Sequence, residues 1–159
     1  MPFIRPIQLS DNQELATVIR SVLLEHQVPK VGTAYADVSL DCMFETYSKP
    51  RSAYFVVEQD GKIIGGAGIS PLENEAASLC ELQKMYFLPE ARGIGLGQQM
   101  ITTCLEAALS FGYQQCYLET MPNMLEAQHL YKKVGFAYIK EPMGCTGHTS
   151  CPVWMLKTL

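Results

Sequence analysis

A glycine-rich segment lies directly before a stretch that carries apolar residues at helical spacing. The segment reads Arg92-Gly-Ile-Gly-Leu-Gly97, and the apolar stretch follows from Gln98 to Phe111. Glycine permits positive φ angles and close approach of a ligand, and the first N–H groups of a helix have no intrahelical acceptor. Because the helix dipole also favours anions at this end, the segment predicts a seat for a phosphate chain. Its spacing is neither the Gly-x-Gly-x-x-Gly of dinucleotide-binding folds nor a P-loop, which needs Gly-Lys-Ser/Thr.

The composition restricts the partners of such a site. The 159 residues carry a formal net charge of −4, so there is no basic excess for general binding to nucleic acid or to an anionic membrane. No stretch approaches the ~18 consecutive apolar residues of a membrane span, and the first residues have no signal-peptide layout. Six scattered cysteines, mostly within apolar patterns, are typical of reduced core thiols. We therefore expect a cytoplasmic protein with a single domain over residues 1–159.

The hydrophobic pattern predicts strands and helices that position this segment. An Asp60-Gly61 turn joins two runs rich in β-branched and aromatic residues into a hairpin. The Pro- and Gly-containing residues 27–36 have the composition of a loop. Strands are predicted at 3–9, 53–58, 63–69, 79–88, 116–120, 136–139 and 153–156; helices are predicted at 98–111, at 125–134 and from the cap candidates Ser10 and Asp11 to about His26, with a short amphipathic stretch at 40–47.

Two motifs in order carry a resemblance to a known family. The first is Phe87-x-Pro-x-x-Arg-Gly-Ile-Gly-Leu-Gly97, and the second, after Glu119-Thr120, is Ala127-x-x-x-Tyr-x-x-x-Gly-Phe136. Together they resemble the GNAT superfamily of acetyl-CoA-dependent N-acetyltransferases, in its small bacterial form. The resemblance covers essentially the whole chain. It implies an α/β (α+β) fold, with a mixed, mostly antiparallel sheet of about six to seven strands and about four helices.

The resemblance also implies where the cosubstrate acetyl-CoA binds. In the family, backbone N–H groups of the turn hold the pyrophosphate of CoA, and the preceding strand pairs with the pantetheine arm. The corresponding residues here are Arg92, Gly93, Ile94, Gly95, Leu96, Gly97 and Gln98 for the pyrophosphate, and Met85, Tyr86 and Phe87 for the arm. The family often carries Asn seven residues before the helix tyrosine, where this chain has Met124. Asn123, one residue earlier, is a candidate for a cofactor contact or for a helix cap.

Tyr131 corresponds to the family's tyrosine near the CoA sulfur, which acts as general acid. A free tyrosine has a pKa of about 10, against about 8.5 for a cysteine-like thiol, so its proton transfer to the thiolate is only modestly driven. We therefore expect a positioned hydrogen-bond donor. The alternative is a packed core aromatic whose hydroxyl is already hydrogen-bonded.

The base that deprotonates the amine has several candidates. Glu81 lies on the strand before the turn, where several family members place a carboxylate, and strand parity puts it on the same face as Gln83 and Met85. A carboxylate with a pKa near 4.3 cannot readily deprotonate an ammonium near 10, so it needs burial or a water relay. Glu119 on the neighbouring predicted strand, or water alone, are the alternatives.

The segment Cys145-Thr-Gly-His-Thr-Ser-Cys151 falls where the family joins its last two strands near the acceptor site. Its two thiols and His148 supply three soft ligands, whereas zinc needs four, and no fourth is evident locally. We therefore expect no metal. His148 is then an acceptor-site base, with a pKa near neutrality, or part of a plain hairpin bent at Gly147.

The acceptor end is set by residues 27–47 and 143–151. Tyr35, Asp37 and Asp41 are available there to meet a cationic or hydroxylated substrate, or are ordinary loop and cap residues. The sequence thus favours acetyl transfer to the primary amine of a small metabolite or amino-acid-like acceptor by direct attack on the thioester. A protein or peptide N-acetyltransferase and a non-catalytic acyl-CoA-binding module are the alternatives. The family's shape also supports a homodimer.

Overall fold

A computed structural model describes residues 1–146 and 151–159 of the chain. Its strands join into one seven-stranded sheet. The strands are β1 (Phe3–Pro6), β2 (Ala53–Gln59), β3 (Lys62–Pro71), β4 (Leu79–Phe87), β5 (Gln115–Thr120), β6 (Ala137–Ile139) and β7 (Val153–Thr158). The helices are α1 (Asn12–Glu25), α2 (Met43–Thr46), α3 (Leu96–Ser110) and α4 (Leu125–Lys133).

The sheet has the order β1-β2-β3-β4-β5-β7-β6. Every pair of neighbours is antiparallel except β4 and β5, which run parallel. The Asp60-Gly61 turn between β2 and β3 has positive φ at both residues, the backbone of a tight reversing turn. These features confirm the expected mixed, mostly antiparallel α/β fold.

The two long helices cover opposite faces of the sheet. Val56 and Val57, neighbours on β2, lie in different core clusters because successive strand residues point to opposite faces. The cluster around Val56 contains the buried stripe of α1, and the cluster around Val57 contains that of α3. Both stripes follow the helical spacing read from the sequence. No helix in the described part of the chain is long and apolar enough to cross a membrane.

Strand β4 contains a bulge at Lys84. Gly66 and Gly68 of β3 face Tyr86 and Gln83, so three steps along β4 correspond to two along β3. Lys84 has a φ of 49° within this bulge, a left-handed conformation that is uncommon for residues other than glycine. The Tyr54 hydroxyl stabilises the bulge by donating a hydrogen bond to the Lys84 carbonyl at 2.7 Å.

The bulge overturns the strand parity expected from the sequence. Leu82, Met85 and Phe87 pack in the α3 core, whereas Tyr86 packs in the α1 core. The expectation that Met85 shares a face with Glu81 and Gln83 is therefore wrong, because the extra residue reverses the alternation beyond Lys84.

The cysteines differ in burial, and Cys42 is half-buried. All six are free thiols. Three of them, Cys80, Cys104 and Cys116, are buried in the sheet core as expected, but Cys145 is exposed and Cys151 is half-buried.

Candidate active site

A narrow cavity opens where β4 and β5 separate. The two strands pair only from Leu79 to Glu81, opposite Gln115 to Tyr117, and beyond Glu81 no described pair joins them. The backbone edge of β4 from Leu82 onward therefore has no strand neighbour on this side. The cavity between the strands holds about 40 Å³ and is lined by residues that include Glu81, Gln83, Lys84, Met85, Tyr86, Glu119, Thr120, Tyr131 and Cys151.

The glycine turn lies at the end of this unpaired edge. Gly93 and Gly95 have φ angles of 75° and 86°, and an added Cβ at either would meet no atom within 4 Å. The first bond of α3 runs from the Gln99 amide to the Gly95 carbonyl at 3.2 Å. The preceding N–H groups at the helix start thus have no intrahelical acceptor, beside open space that an anion would fill.

Gly97 has a different role from the other two glycines. An added Cβ there would lie 2.6 Å from Cδ2 of Leu130 on α4. The absence of a side chain lets α3 and α4 pack closely, and this brings Tyr131, the residue after Leu130, to the narrow cavity.

The side chain of Arg92 points away from the turn's open space. Its guanidinium donates to the Phe87 carbonyl at 2.8 and 3.0 Å and to the Glu25 carboxylate at 2.6 and 2.9 Å. These bonds lower the pKa of Glu25. Arg92 thus joins the turn to the end of α1, and only its backbone is left for the predicted phosphate contact.

Asn123 does not cap α4, and its predicted cofactor contact stays a prediction. Its side-chain amide donates to the His26 carbonyl at 2.5 Å, while α4 begins after Met124 without a side-chain cap. Asn123 therefore fastens the loop before α4 to the end of α1.

Tyr131 is 6% exposed and lines the narrow cavity. Its ring packs edge-on against Phe136, with centroids 6.0 Å apart. Burial raises its pKa above the ordinary value of 10, with smaller contributions from Cys104 and Cys116. Because its pKa is raised, the phenol is protonated. Its hydroxyl makes no hydrogen bond to a described residue, so it can bond to a partner in the cavity.

A short relay of hydrogen bonds holds Glu81. The carboxylate is 5% exposed and accepts a bond from the Gln83 amide at 2.6 Å. The Tyr47 hydroxyl in turn donates to the Gln83 carbonyl oxygen at 2.5 Å, and burial raises the pKa of Tyr47 well above 10, which keeps it a donor. Since Tyr47 fixes which end of the amide faces Glu81, the relay holds Glu81 as a hydrogen-bond acceptor.

Glu119 also lines the narrow cavity, but both of its oxygens are engaged. It accepts one bond from the Tyr117 hydroxyl and one from the Thr146 hydroxyl, each at 2.6 Å. These bonds tie the segment before β7 to β5. Both oxygens of Glu119 thus already accept hydrogen bonds from hydroxyl groups.

The Cys-His-Cys segment is described only in part. His148 and Gly147 lie outside the described residues, so the acceptor-site base and the hairpin bend stay predictions. Burial raises the pKa of Cys151 to about 12, helped by the negative charges of Glu119 and Glu81. Among the described residues no group of three or more His, Cys, Asp or Glu side chains is placed to hold a metal ion.

A wide cavity of about 250 Å³ adjoins the narrow one. Glu81, Gln83 and Lys84 line both cavities. The remaining lining residues of the wide cavity are Asp37, Lys49, Ser70, Pro71, Glu73, Cys145 and Thr146. The two cavities together form a path from the unpaired edge of β4 to the segments predicted to hold the acceptor.

Of the three acceptor candidates read from the sequence, only Asp37 reaches this path. It pairs with Lys84 at 3.3 Å. Asp41 forms an ion pair with Arg20 at 2.6 Å, and the Tyr35 ring lies beneath Arg20 and Lys30.

Comparisons with known proteins bear on the fold and the site together. A sequence profile described as the acetyltransferase (GNAT) family matches residues 20–136. Over 99% of its length the chain is 44% identical to YjgM, an uncharacterised N-acetyltransferase of Escherichia coli strain K12, of which it covers 95%. An acetyltransferase of the GNAT family from Staphylococcus aureus has the same fold, with a TM-score of 0.88 at 18% identity and 99% of each chain covered. A phosphinothricin acetyltransferase from Sinorhizobium meliloti, solved with acetyl-CoA, has a TM-score of 0.76 at 21% identity, with 99% of this chain and 88% of that chain covered.

The chain belongs to the acetyltransferase (GNAT) family. It is an acyltransferase that uses acetyl-CoA as donor. The resemblance drawn from the two sequence motifs is thereby confirmed.

Proposed function

We propose that the protein transfers the acetyl group of acetyl-CoA to the primary amine of a small, polar metabolite, by direct attack of the amine on the thioester. The observation that carries this proposal is the junction of the two cavities at Glu81. A carboxylate held at the meeting point of a donor channel and an acceptor cavity can take the proton of an amine that reaches the thioester.

The residues around the narrow cavity fit acetyl-CoA. The open space at Gly93 and Gly95 and the free amides at the start of α3 suit a pyrophosphate. The unpaired edge of β4 at Met85, Tyr86 and Phe87 offers backbone groups to the amides of the pantetheine arm. When bound, acetyl-CoA supplies an acetyl group activated as a thioester.

Glu81 would act as base toward the acceptor. The attacking amine must lose a proton, and Glu81 is oriented for this by Gln83 and lies between the cavities. An unperturbed carboxylate is a weak base toward an ammonium, so transfer through a water molecule in the wide cavity is the route that we favour.

Tyr131 would act toward the leaving sulfur. Its protonated hydroxyl, unbound by any described residue, can donate a hydrogen bond as negative charge develops on that atom. Glu81 and Tyr131 then serve opposite ends of the reaction, with proton removal at the acceptor and proton donation at the donor.

Two features support a small acceptor over a protein or peptide. The segment between α1 and α2 contributes Val28 and Thr33 to the narrow cavity and Asp37 to the wide one. Thr33 is 2% exposed, so part of this segment packs against the narrow cavity. A groove that admits a polypeptide would need a more open acceptor side.

The test is acetyl-CoA turnover, read as release of free CoA, with pooled amino acids, polyamines and other small amines on one side and peptides on the other. The proposal predicts turnover with the small amines and confirmation of an acetylated product by mass spectrometry. Turnover restricted to peptides would instead establish the alternative. Glu81→Gln, which keeps the shape of the residue and its bond partners, should lower turnover by about a hundredfold.

A further inference from the structure

The wide cavity is smaller and more polar than most ligand pockets. Ligand pockets are mostly apolar and hold roughly 300–1,000 Å³, whereas this one holds about 250 Å³. Apart from Pro71 and Cys145, every lining residue that the structure describes carries a charge, a hydroxyl or an amide. Its occupant is therefore small and polar over most of its surface.

Among the described lining residues other than the proposed base Glu81, the charges are balanced. Lys49 and Lys84 contribute two positive charges, and Asp37 and Glu73 contribute two negative ones. Such a lining suits a molecule that carries both signs, because neither charge then lacks a complementary partner.

Among the described residues, Lys84 is the one buried cation that lines this cavity. Its side chain is 7% exposed, and Asp37 is its only ion-pair partner among the described residues, at 3.3 Å. Bonds between an ammonium and a carboxylate are usually about 2.7–2.9 Å long, so this pair is loose. An ammonium has three protons to donate, and a nearly buried one is stabilised by further oxygen partners.

The backbone aims Lys84 into the site. The bulge gives it a φ of 49°, and the Tyr54 hydroxyl holds its carbonyl. Strained residues of this kind persist where the surrounding structure fixes them, commonly at ligand sites. Glu81 lies three residues earlier on the same strand, and both side chains line both cavities.

We infer that Lys84 binds a carboxylate of the acceptor, so that the substrates are small amine-bearing carboxylic acids such as free amino acids. The acceptor's amine lies toward Glu81 and its carboxylate toward Lys84. This inference rests on the proposed acetyl transfer to a small amine and names the acceptor class.

The test compares kcat/KM for three matched sets of acceptors: free amino acids, their carboxamides and the amines that lack the carboxyl group. Wild type should favour the free acids over the carboxamides by about tenfold or more, as expected for a hydrogen bond to a charged group. Lys84→Met should remove this preference by raising KM for the acids. For the carboxamides, kcat/KM of the variant should stay within about twofold of wild type.

Two further variants keep the test independent of stability. Lys84→Met combined with Asp37→Asn also removes the charge that had paired with Lys84 and should show the same loss of preference. Lys62→Met, on the exposed start of β3 and in neither cavity, should retain the wild-type preference.

The outcomes separate the inference from the proposed function. Equal use of acids and carboxamides by wild type, or an equal loss on all three sets in Lys84→Met, overturns the role of Lys84 while acetyl transfer to small amines stands. Failure of wild type to acetylate any member of the three sets overturns the proposed function and the inference with it.

Discussion

Replacement of Gln83 by Met is expected to slow acetyl transfer while the chain still folds. The Gln83 amide donates to the Glu81 carboxylate at 2.6 Å, and a hydrogen bond to a charged group contributes about 1.5–3 kcal/mol. This donor favours the charged form of Glu81, so its loss favours the protonated form, which cannot act as base. The acid limb of the pH profile of kcat/KM should therefore move to higher pH.

The same change also affects stability, through Tyr47. Its hydroxyl donates to Gln83 and is buried, with 4% of the residue exposed. Loss of the acceptor should lower the free energy of unfolding by about 1–3 kcal/mol. Removing both partners, in Gln83→Met with Tyr47→Phe, should restore the part of that stability that is lost at Tyr47, because no buried hydroxyl is then left without its acceptor.

The assay measures kcat/KM across the acid limb of the pH profile for both variants, and urea unfolding for each. The double variant should regain stability but keep the displaced pH profile. If it regained wild-type activity together with stability, Gln83 would act through folding alone. A pH profile of Gln83→Met that coincides with wild type would refute the role of the relay at Glu81.

Three further predictions concern the turn, the acid limit of stability and the cavity thiol. Gly95→Glu should weaken CoA binding by at least about tenfold. Gly112 has the same φ of 86° at the far end of α3, so Gly112→Glu should lose a similar ~1 kcal/mol of stability but bind CoA normally. Equal CoA affinity of the two variants would contradict the predicted pyrophosphate site. Burial disfavours the charged form of the Asp11 carboxylate. Hydrogen bonds from the Arg5 guanidinium and the Gln8 backbone amide outweigh this effect and lower the pKa of Asp11 below the ordinary 3.8. The stability that the charged Asp11 contributes is present above pH 3.8 and is lost as the pH falls through the lowered pKa. In urea titrations, Asp11→Asn should therefore have a lower free energy of unfolding than wild type at neutral pH, and the difference should shrink below about pH 4. A difference that does not depend on pH would contradict the pairing. The thiol of Cys151 has a pKa of about 12, so at neutral pH Cys151 should react with iodoacetamide more slowly than the exposed Cys145. Bound acetyl-CoA should slow the reaction of Cys151 further. If peptide mapping found equal rates for the two thiols, or no protection by acetyl-CoA, Cys151 would lie outside the cavity.

The parts of the fold and the turn that local sequence determines could be predicted. The buried stripe of α1, the Asp60-Gly61 hairpin and the positive φ at Gly95 each depend on residues within one or two turns of chain. Helix α3 begins at Leu96, two residues before the predicted start, because Gly95 itself supplies the N-terminal cap position.

The bulge at Lys84 could not be predicted from the sequence. No glycine marks it, and it is held by Tyr54, 30 residues away along the chain. Gly66 and Gly68 were the residues in the sequence that came closest to indicating the bulge. An added Cβ at either would lie 2.7 Å or less from the Tyr54 ring, so these glycines leave room for the side chain that reaches the bulge.

The acceptor side was also beyond sequence patterns. Tyr35, Asp37 and Asp41 were equivalent candidates in the sequence, and only tertiary packing distinguishes them. Arg20 on α1 pairs with Asp41 and covers Tyr35, which leaves Asp37 to meet Lys84. The relay from Tyr47 to Gln83 joins residues 36 positions apart, a contact that no local motif encodes.

The most direct test of the proposed chemistry is turnover and CoA affinity of Tyr131→Phe, with Tyr138→Phe as the matched control. Tyr138 is half-exposed and donates its hydroxyl to Gln128 outside the narrow cavity. The account predicts that Tyr131→Phe binds CoA as wild type does and loses about a hundredfold or more in kcat, whereas the control keeps both. Unchanged kcat in Tyr131→Phe would contradict proton donation from this hydroxyl to the leaving sulfur.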